Sequence, residues 1–338
     1  MSFRETGLWR DIREGPAALA TTVDAAEGIP EAAALLGADG VRRVVAVGNG
    51  AAYYVAHALW LAALESAGDG PPIVAVPCGV VAADAFRWRA GDAVLAVSSS
   101  GEFRDVVRIA ERAAAEGRPC VAVTADATSS LAGAATASVL QHVDHQRAVT
   151  HTQALWGGYA AALGLWAAVT GDAGLRAVVQ GASAAAARAV AAADTWATET
   201  LGDVRAPGAA VVVGGGTAWA GALEAALMLK EIARVPAEGV ETREGATSAM
   251  FGLDHGHLMV SLDPPGDPSG DEAVRLCAAT GAETLRVPGV AEADPRLALV
   301  TTLPACAALS AVLAERGGHD VDNPTWVDAY YATARSTP

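Results

Sequence analysis

The sequence predicts an α/β protein built on mainly parallel sheets. Three observations carry that expectation. Short apolar runs alternate with longer helix-like stretches, which is the pattern of βαβ units. The order of these segments repeats once along the chain. And 52% of the 338 residues are hydrophobic, enough to fill two cores of ordinary size.

In the first half, strands are expected at Val44–Val47, Ile73–Val76, Val94–Val97, Cys120–Thr124 and Ser138–Leu140. Helices fit between them at about 52–67, 103–116 and 151–170. Residues 5–24 are also helix-like, with Gly15-Pro16 expected to break the helix. The stretch Ala154–Gly171 has no charge and the length of a membrane span. It is rich in Ala and Gly and stands alone, so a buried helix is expected. Residues 172–207 read as a long Ala-rich helix joining the halves.

The second half repeats the order. Val44–Ala52 (VVAVGNGAA) resembles Val211–Ala218 (VVVGGGTA): a strand, a glycine turn and an Ala/Leu-rich helix. Residues 92–117 match 257–281, and there the copies diverge. Ser98-Ser99-Ser100-Gly101 follows a buried strand and precedes a helix. Strand ends and helix starts in open α/β sheets suit anions, and three hydroxyls add donors. Two readings stay open at this point: a phosphate cradle that Gly101 lets approach closely, or a serine that caps the helix. In the second copy the loop carries Asp263, Pro264, Pro265 and Asp267. Carboxylates repel phosphate and prolines lack N–H donors, so only the first copy is expected to bind one.

The second half offers carboxylates instead. Glu224 and Glu231 are seven apart and share a helix face with Leu227 and Met228. A carboxyl on such a face is either ion-paired or raised in pKa and suited to general-base work. The polar run Glu238, Glu241, Thr242, Arg243, Glu244, Gly245, Ala246, Thr247, Ser248 looks like a turn entering a helix.

Other chemistry is excluded by composition and spacing. The formal net charge is -15 with no Lys/Arg cluster, which argues against nucleic acid or an anionic membrane as partner. Cys78, Cys120, Cys277 and Cys306 form no C-x-x-C pair and are expected as buried free thiols in a reducing cytoplasm. His142 and His145, His151, and His255 with His257 lack metal-ligand spacing, so no metal or other cofactor is expected. The N-terminus lacks a signal-peptide core, and a cytoplasmic location is expected. No P-loop, G-x-G-x-x-G or G-x-S-x-G pattern occurs.

Taken in order, Gly48-Asn49-Gly50, Ser98-Ser99-Ser100-Gly101-Glu102 with Asp105, Ala222-Leu223-Glu224 through Leu229-Lys230-Glu231, Ala237-Glu238, Glu244 and Asp320-Val321-Asp322-Asn323-Pro324 resemble the tandem SIS (sugar isomerase) family. The chain is similar to the isomerase half of glucosamine-6-phosphate synthase, without a glutaminase domain. The resemblance implies two SIS domains, each a mainly parallel five-stranded sheet flanked by helices in a flavodoxin-like three-layer sandwich. The boundaries implied are an N-terminal helical segment at 1–30, a first domain at 31–172, the linking helix at 173–207, and a second domain with its tail at 208–338. It implies that Ser98, Ser99 and Ser100 hold a sugar phosphate and that Glu231 moves a proton between C1 and C2. Asn49, Gly50 and Ala51 would line the same pocket, with Val149, Thr150, Glu244 and Thr247. His151 falls in the family's substrate-contacting segment and stands in for a ring-opening histidine, whose own position is Thr247. Further departures are Phe103 for a threonine, Ala52 for a serine, Met228 for a lysine, and a missing lysine after Asn323-Pro324. A homodimer or larger assembly is implied.

The function expected is a sugar-phosphate or aminosugar-phosphate aldose–ketose isomerase working through an enediol. A deaminase or deglycase, a lyase, and a non-catalytic sugar-phosphate sensor are the alternatives.

Overall fold

The computed structural model describes residues 2–83, 86–143, 146–264 and 266–334. His145 and Pro265 therefore lie outside the described residues. In chain order the first elements are α1 (Gly7–Ala25), α2 (Ile29–Leu36), β1 (Arg43–Gly48), α3 (Ala51–Leu64), β2 (Ile73–Pro77), α4 (Cys78–Ala82) and β3 (Asp92–Val97). Then come α5 (Arg104–Ala115), β4 (Cys120–Thr124), α6 (Ser130–Ala134), β5 (Ala137–Leu140), α7 (Thr152–Thr170) and α8 (Ala173–Thr200). The rest are β6 (Ala210–Gly214), α9 (Ala218–Glu231), β7 (Ala237–Glu241), α10 (Thr242–Thr247), β8 (Leu258–Ser261), α11 (Pro268–Ala279), β9 (Glu283–Arg286), α12 (Ala298–Gly317) and α13 (Val327–Ala334).

The five strands expected in the first half are all present, and every strand pair is parallel. The first sheet runs β2-β1-β3-β4-β5, the order of the flavodoxin-like fold. The second runs β7-β6-β8-β9. It has four described strands, one fewer than expected. After β9 the chain (VPGVAEAD) is broken by Pro288 and Gly289, offers no apolar run, and enters α12.

Contacts group the chain into two compact units, each discontinuous in sequence. The β1–β5 unit comprises Ala17–Asp144, Gln153–Ala182 and Trp326–Pro338. The β6–β9 unit comprises Met1–Pro16, His145–Thr152 and Ser183–Thr325.

In the β1–β5 unit the strands bury both faces, as parallel strands must. Val45, Val47, Val94, Ala96, Cys120 and Ala122 meet Val106, Ile109 and Ala113 of α5. The alternate residues Val44, Ala46, Leu95, Val121 and Val123 are equally buried. The uncharged stretch from Ala154 is a core helix, with Trp156 and Tyr159 wholly buried. In the β6–β9 unit α9 packs on β6 and β7, and α12 packs on α9. Gly239 of β7 permits that approach, because a Cβ there would lie 2.4 Å from the Ala222 carbonyl oxygen.

Among the described residues one stretch, Pro295–Gly317, is long and apolar enough to cross a membrane, and most of it is buried in the fold. The expected break at Gly15-Pro16 does not occur: α1 runs through Pro16. Buried Leu8, Ile12 and Leu19 hold the turns on either side, and the Pro16 carbonyl accepts a hydrogen bond from Ser183 at 2.8 Å. Packing here outweighs the local preference of proline to end a helix.

Candidate functional site

The two glycine turns share one feature of the backbone. Gly50 and Gly216 both have φ of 54°. Gly48 and Gly214 lie flat beneath the following helices, where a Cβ would fall 2.5 Å from Ala52 and 2.4 Å from Ala218. Asn49 and Gly50 are exposed at the end of β1, and Ala51 opens α3 beside them.

The serine loop extends from β3. Ser98 is buried, Ser99 partly buried and Ser100 exposed. The Ser98 hydroxyl accepts the Gly101 N–H at 3.2 Å, and the Ser100 hydroxyl accepts the Glu102 N–H at 3.3 Å. Neither serine caps α5. The N-cap residue is Phe103, which supplies no side-chain bond. The capping reading is thus replaced by a loop whose hydroxyls fold it upon itself. Gly101 has φ of 65°, and a Cβ there would lie 2.1 Å from the Ser129 hydroxyl oxygen. Its lack of a side chain serves packing against the next loop. The Glu102 carboxylate reaches the same loop, accepting the Ser130 N–H and hydroxyl at 2.8 Å each.

Strand register identifies the counterpart of Ser98 in the other unit. Leu95 pairs with Ala46 and Val260 with Val212, two residues before Gly48 and Gly214 respectively. Three residues further on stand Ser98 and Asp263. The Asp263 carboxylate is buried and accepts the Gly215 N–H at 2.7 Å and the Thr242 hydroxyl. A carboxyl of the chain itself fills this turn. Burial pushes its pKa up, opposed by the Thr242 and Gly215 hydrogen bonds.

Glu231 ends α9 and is partly buried, while Glu224 is fully enclosed. Burial pushes Glu231 up to about 7, against lowering by the Thr150 hydroxyl and by Lys230. Thr150 donates to Glu231 Oε2 in a long hydrogen bond of 3.4 Å. Burial, and then the Glu231 charge, push Glu224 up to about 8. The Glu224 Oε2 has no hydrogen-bond partner among the described residues. The position expected to hold a lysine, Met228, is wholly buried.

Residues 40–166 match the family model of the SIS domain. This part of the chain is a SIS domain. Solved structures similar to the chain include three that span nearly all of it. A candidate phosphosugar isomerase from Silicibacter pomeroyi DSS-3 is 26% identical, with a TM-score of 0.75, covering 94% of this chain and 100% of that one. The C-terminal domain of glucosamine-fructose-6-phosphate aminotransferase from Francisella tularensis is 16% identical, with a TM-score of 0.77, covering 94% and 98%. Glucosamine-6-phosphate deaminase from Thermotoga maritima is 16% identical, with a TM-score of 0.73, covering 95% and 98%. A comparison with curated protein sequences returns no match.

Asn49, Gly50, Ala51 and the three serines thus lie in the segments that follow β1 and β3, within the matched residues 40–166. Val149, Thr150 and His151 immediately precede α7, with Thr150 buried and His151 exposed. Glu244 and Thr247 are exposed on α10, where the Thr247 hydroxyl donates to the Arg243 carbonyl at 3.0 Å. Glu241 is the cap of that helix, accepting the Arg243 and Glu244 N–H groups. Among the described residues no group of three His, Cys, Asp or Glu side chains is placed to hold a metal. All four cysteines are buried and free. Sequence reasoning passed over His57, which is buried on α3 against Tyr53 and Trp60 and lowered by burial to about 4. It sits in an unbroken apolar helix with no motif around it.

Proposed function

We propose that the protein is an aldose–ketose isomerase of a sugar phosphate, with Glu231 as the base. The observation that supports this best is the Glu231 carboxyl itself, raised to about 7 by burial and met by the Thr150 hydroxyl. A base of that pKa is matched to proton transfer near neutral pH. In this reading Glu231 takes the proton from the carbon beside the carbonyl. The electron pair becomes the enediol double bond as the carbonyl oxygen gains a proton. Glu231 then returns its proton to the neighbouring carbon, and the hydroxyl of the other carbon becomes the new carbonyl by losing its own. No oxidant or reductant enters.

His151, next to Thr150 in sequence, is the candidate for ring opening and for moving the oxygen-bound proton. Ser98 shapes the serine loop, and Ser99 and Ser100 supply hydroxyls for the phosphate. Asn49, Gly50, Ala51, Val149, Glu244 and Thr247 are assigned to substrate contact on the resemblance alone. That resemblance also carries a homodimer or larger assembly, which sedimentation velocity checks. The β6–β9 unit is read as a second, diverged copy of the SIS domain.

The test is proton exchange at C1 and C2 in D2O, followed by NMR, with hexose and aminohexose 6-phosphates. The wild type is expected to exchange at least one of them, and Glu231→Gln to lose about 10²–10⁴-fold in rate. Unchanged exchange in Glu231→Gln removes Glu231 from the mechanism. A binding-only reading draws on Thr247 and Met228, which stand where a histidine and a lysine are expected. Thermal stabilisation by a panel member with no exchange in the wild type would favour it.

A further inference from the structure

We infer that Asp11 is a positioning residue for Glu231, acting through the backbone of residues 147–150, and that Asp322 secures the same segment from its other side. The role assigned rests on Glu231 being the base. Asp11, on α1, is wholly enclosed at 0% exposure. Its Oδ2 accepts the N–H groups of Arg147 at 2.7 Å and Ala148 at 2.9 Å. Its Oδ1 accepts the Arg147 guanidinium at 2.9 Å, which Glu14 also holds at 2.7 Å. The Val149 N–H donates to the Asp322 carbonyl at 3.2 Å. The Asp322 carboxylate is itself fixed by the N–H groups of Gly7 at 2.6 Å and Leu8 at 2.9 Å, at the start of α1. Gly7 is wedged between the two partners, since a Cβ there would lie 2.8 Å from Arg147 Cβ and 3.0 Å from Asp322.

Three consecutive N–H groups, 147 to 149, are therefore held by two aspartates. The next residue is Thr150, whose hydroxyl meets Glu231. Residues 146–151 belong to no strand or helix, so no ladder fixes their direction. Charge-assisted bonds to the buried Asp11 carboxylate, together with the bond to the Asp322 backbone carbonyl, replace one. A displacement of about 1 Å in such a segment matters to a hydroxyl already at the limit of bonding distance. Glu231 also faces Glu224 and Lys230 on its own helix, and Glu224 in turn faces Cys306 on α12.

The test needs no substrate. Glutamate labelled with 13C at the carboxyl reports the Glu231 titration, assigned by its absence in Glu231→Gln. Wild type is expected to titrate near 7. Thr150→Val moves the midpoint upward by about half a pH unit or more. Asp11→Asn does the same, and the double variant Asp11→Asn/Thr150→Val moves it no further than Thr150→Val alone. Asp322→Asn serves as the second variant if Asp11→Asn does not fold, with the same non-additivity expected. A midpoint unmoved in the aspartate variants, or shifts that add in full to that of Thr150→Val, overturns the inference. Loss of turnover in Glu231→Gln is a separate result, so the base assignment and the positioning role fail independently.

Discussion

Glu224 and Glu231 lie two turns apart on one face of α9, and the charge of Glu231 is the second cause, after burial, that holds the Glu224 carboxyl near 8. Two carboxyls on a buried face, both raised by burial, keep at least one proton near neutrality. That ties stability to pH. Both groups would ionise near 4.5 in the unfolded chain, whereas the folded chain keeps their protons to about 7 and 8. The folded state thus binds more protons between these values, and its stability falls as pH rises from about 4.5 to 8. Glu224→Gln is neutral throughout. Its melting temperature is expected to exceed that of wild type at pH 8.5, by the equivalent of a few kcal/mol, roughly, and to converge with it near pH 5. Melting curves across pH check this, and a constant offset at all pH values would contradict it.

Gly101 and Gly50 both have positive φ but differ in their surroundings. A Cβ on Gly101 meets Ser129, while one on Gly50 meets nothing within 4 Å. Gly50→Ala is expected to destabilise by about 2 kcal/mol from backbone strain alone, since its ψ of -130° lies outside the left-handed α region. Gly101→Ala should cost about 3 kcal/mol, because overpacking adds to the strain. Denaturant unfolding of the two variants separates them, and equal losses would refute the packing account.

Asp263→Ala leaves the Gly215 N–H and the Thr242 hydroxyl without their acceptor. A loss of about 2 kcal/mol is expected. Asp263→Ser, which installs the residue found at the corresponding position in the SIS domain, should recover part of it through its own oxygen. Equal stability of the Ala and Ser variants would show that the acceptor is not what matters.

The serine loop predicts a ligand response. Ser99→Ala/Ser100→Ala keeps the buried Ser98 and should weaken stabilisation by a bound hexose 6-phosphate about ten-fold in Kd. Phe103→Thr should strengthen it. Phe103 packs against Tyr330 of α13 with ring centroids 6.1 Å apart and planes tilted by 51°, so an aromatic pair stands where the resemblance expects a hydroxyl. Thermal-shift titrations measure both, and a response unaffected by the serine changes would remove the loop from phosphate binding.

Much of this was legible in the sequence. The central strands β1, β3 and β4 carry the apolar runs Val44–Val47, Val94–Val97 and Cys120–Val123, because a parallel strand covered on both faces favours apolar residues at every position. The Glu224–Glu231 face showed itself by spacing. What was not legible depends on contacts distant in sequence. Asp11 reads as an ordinary charge in RDIRE, and only folding brings it to residues 147 and 148. Pro16 looked like a break because local preference cannot see the packing that carries α1 past it. The fourth strand of the second sheet ends the described series where Pro288 and Gly289 follow, whereas the family resemblance implies a fifth strand. The serines pointed to an anion or a cap, and sequence alone held no way to tell that Phe103 would occupy the cap position.

Asp263 has a further consequence for stoichiometry. A side chain that occupies its own turn has no dissociation constant, and its local concentration does not follow any metabolite pool. The duplicated glycine turn therefore does not double the capacity of the chain. A titration of the isolated chain should saturate at one equivalent along a simple hyperbola, and any sigmoidal response would have to arise between copies of the protein.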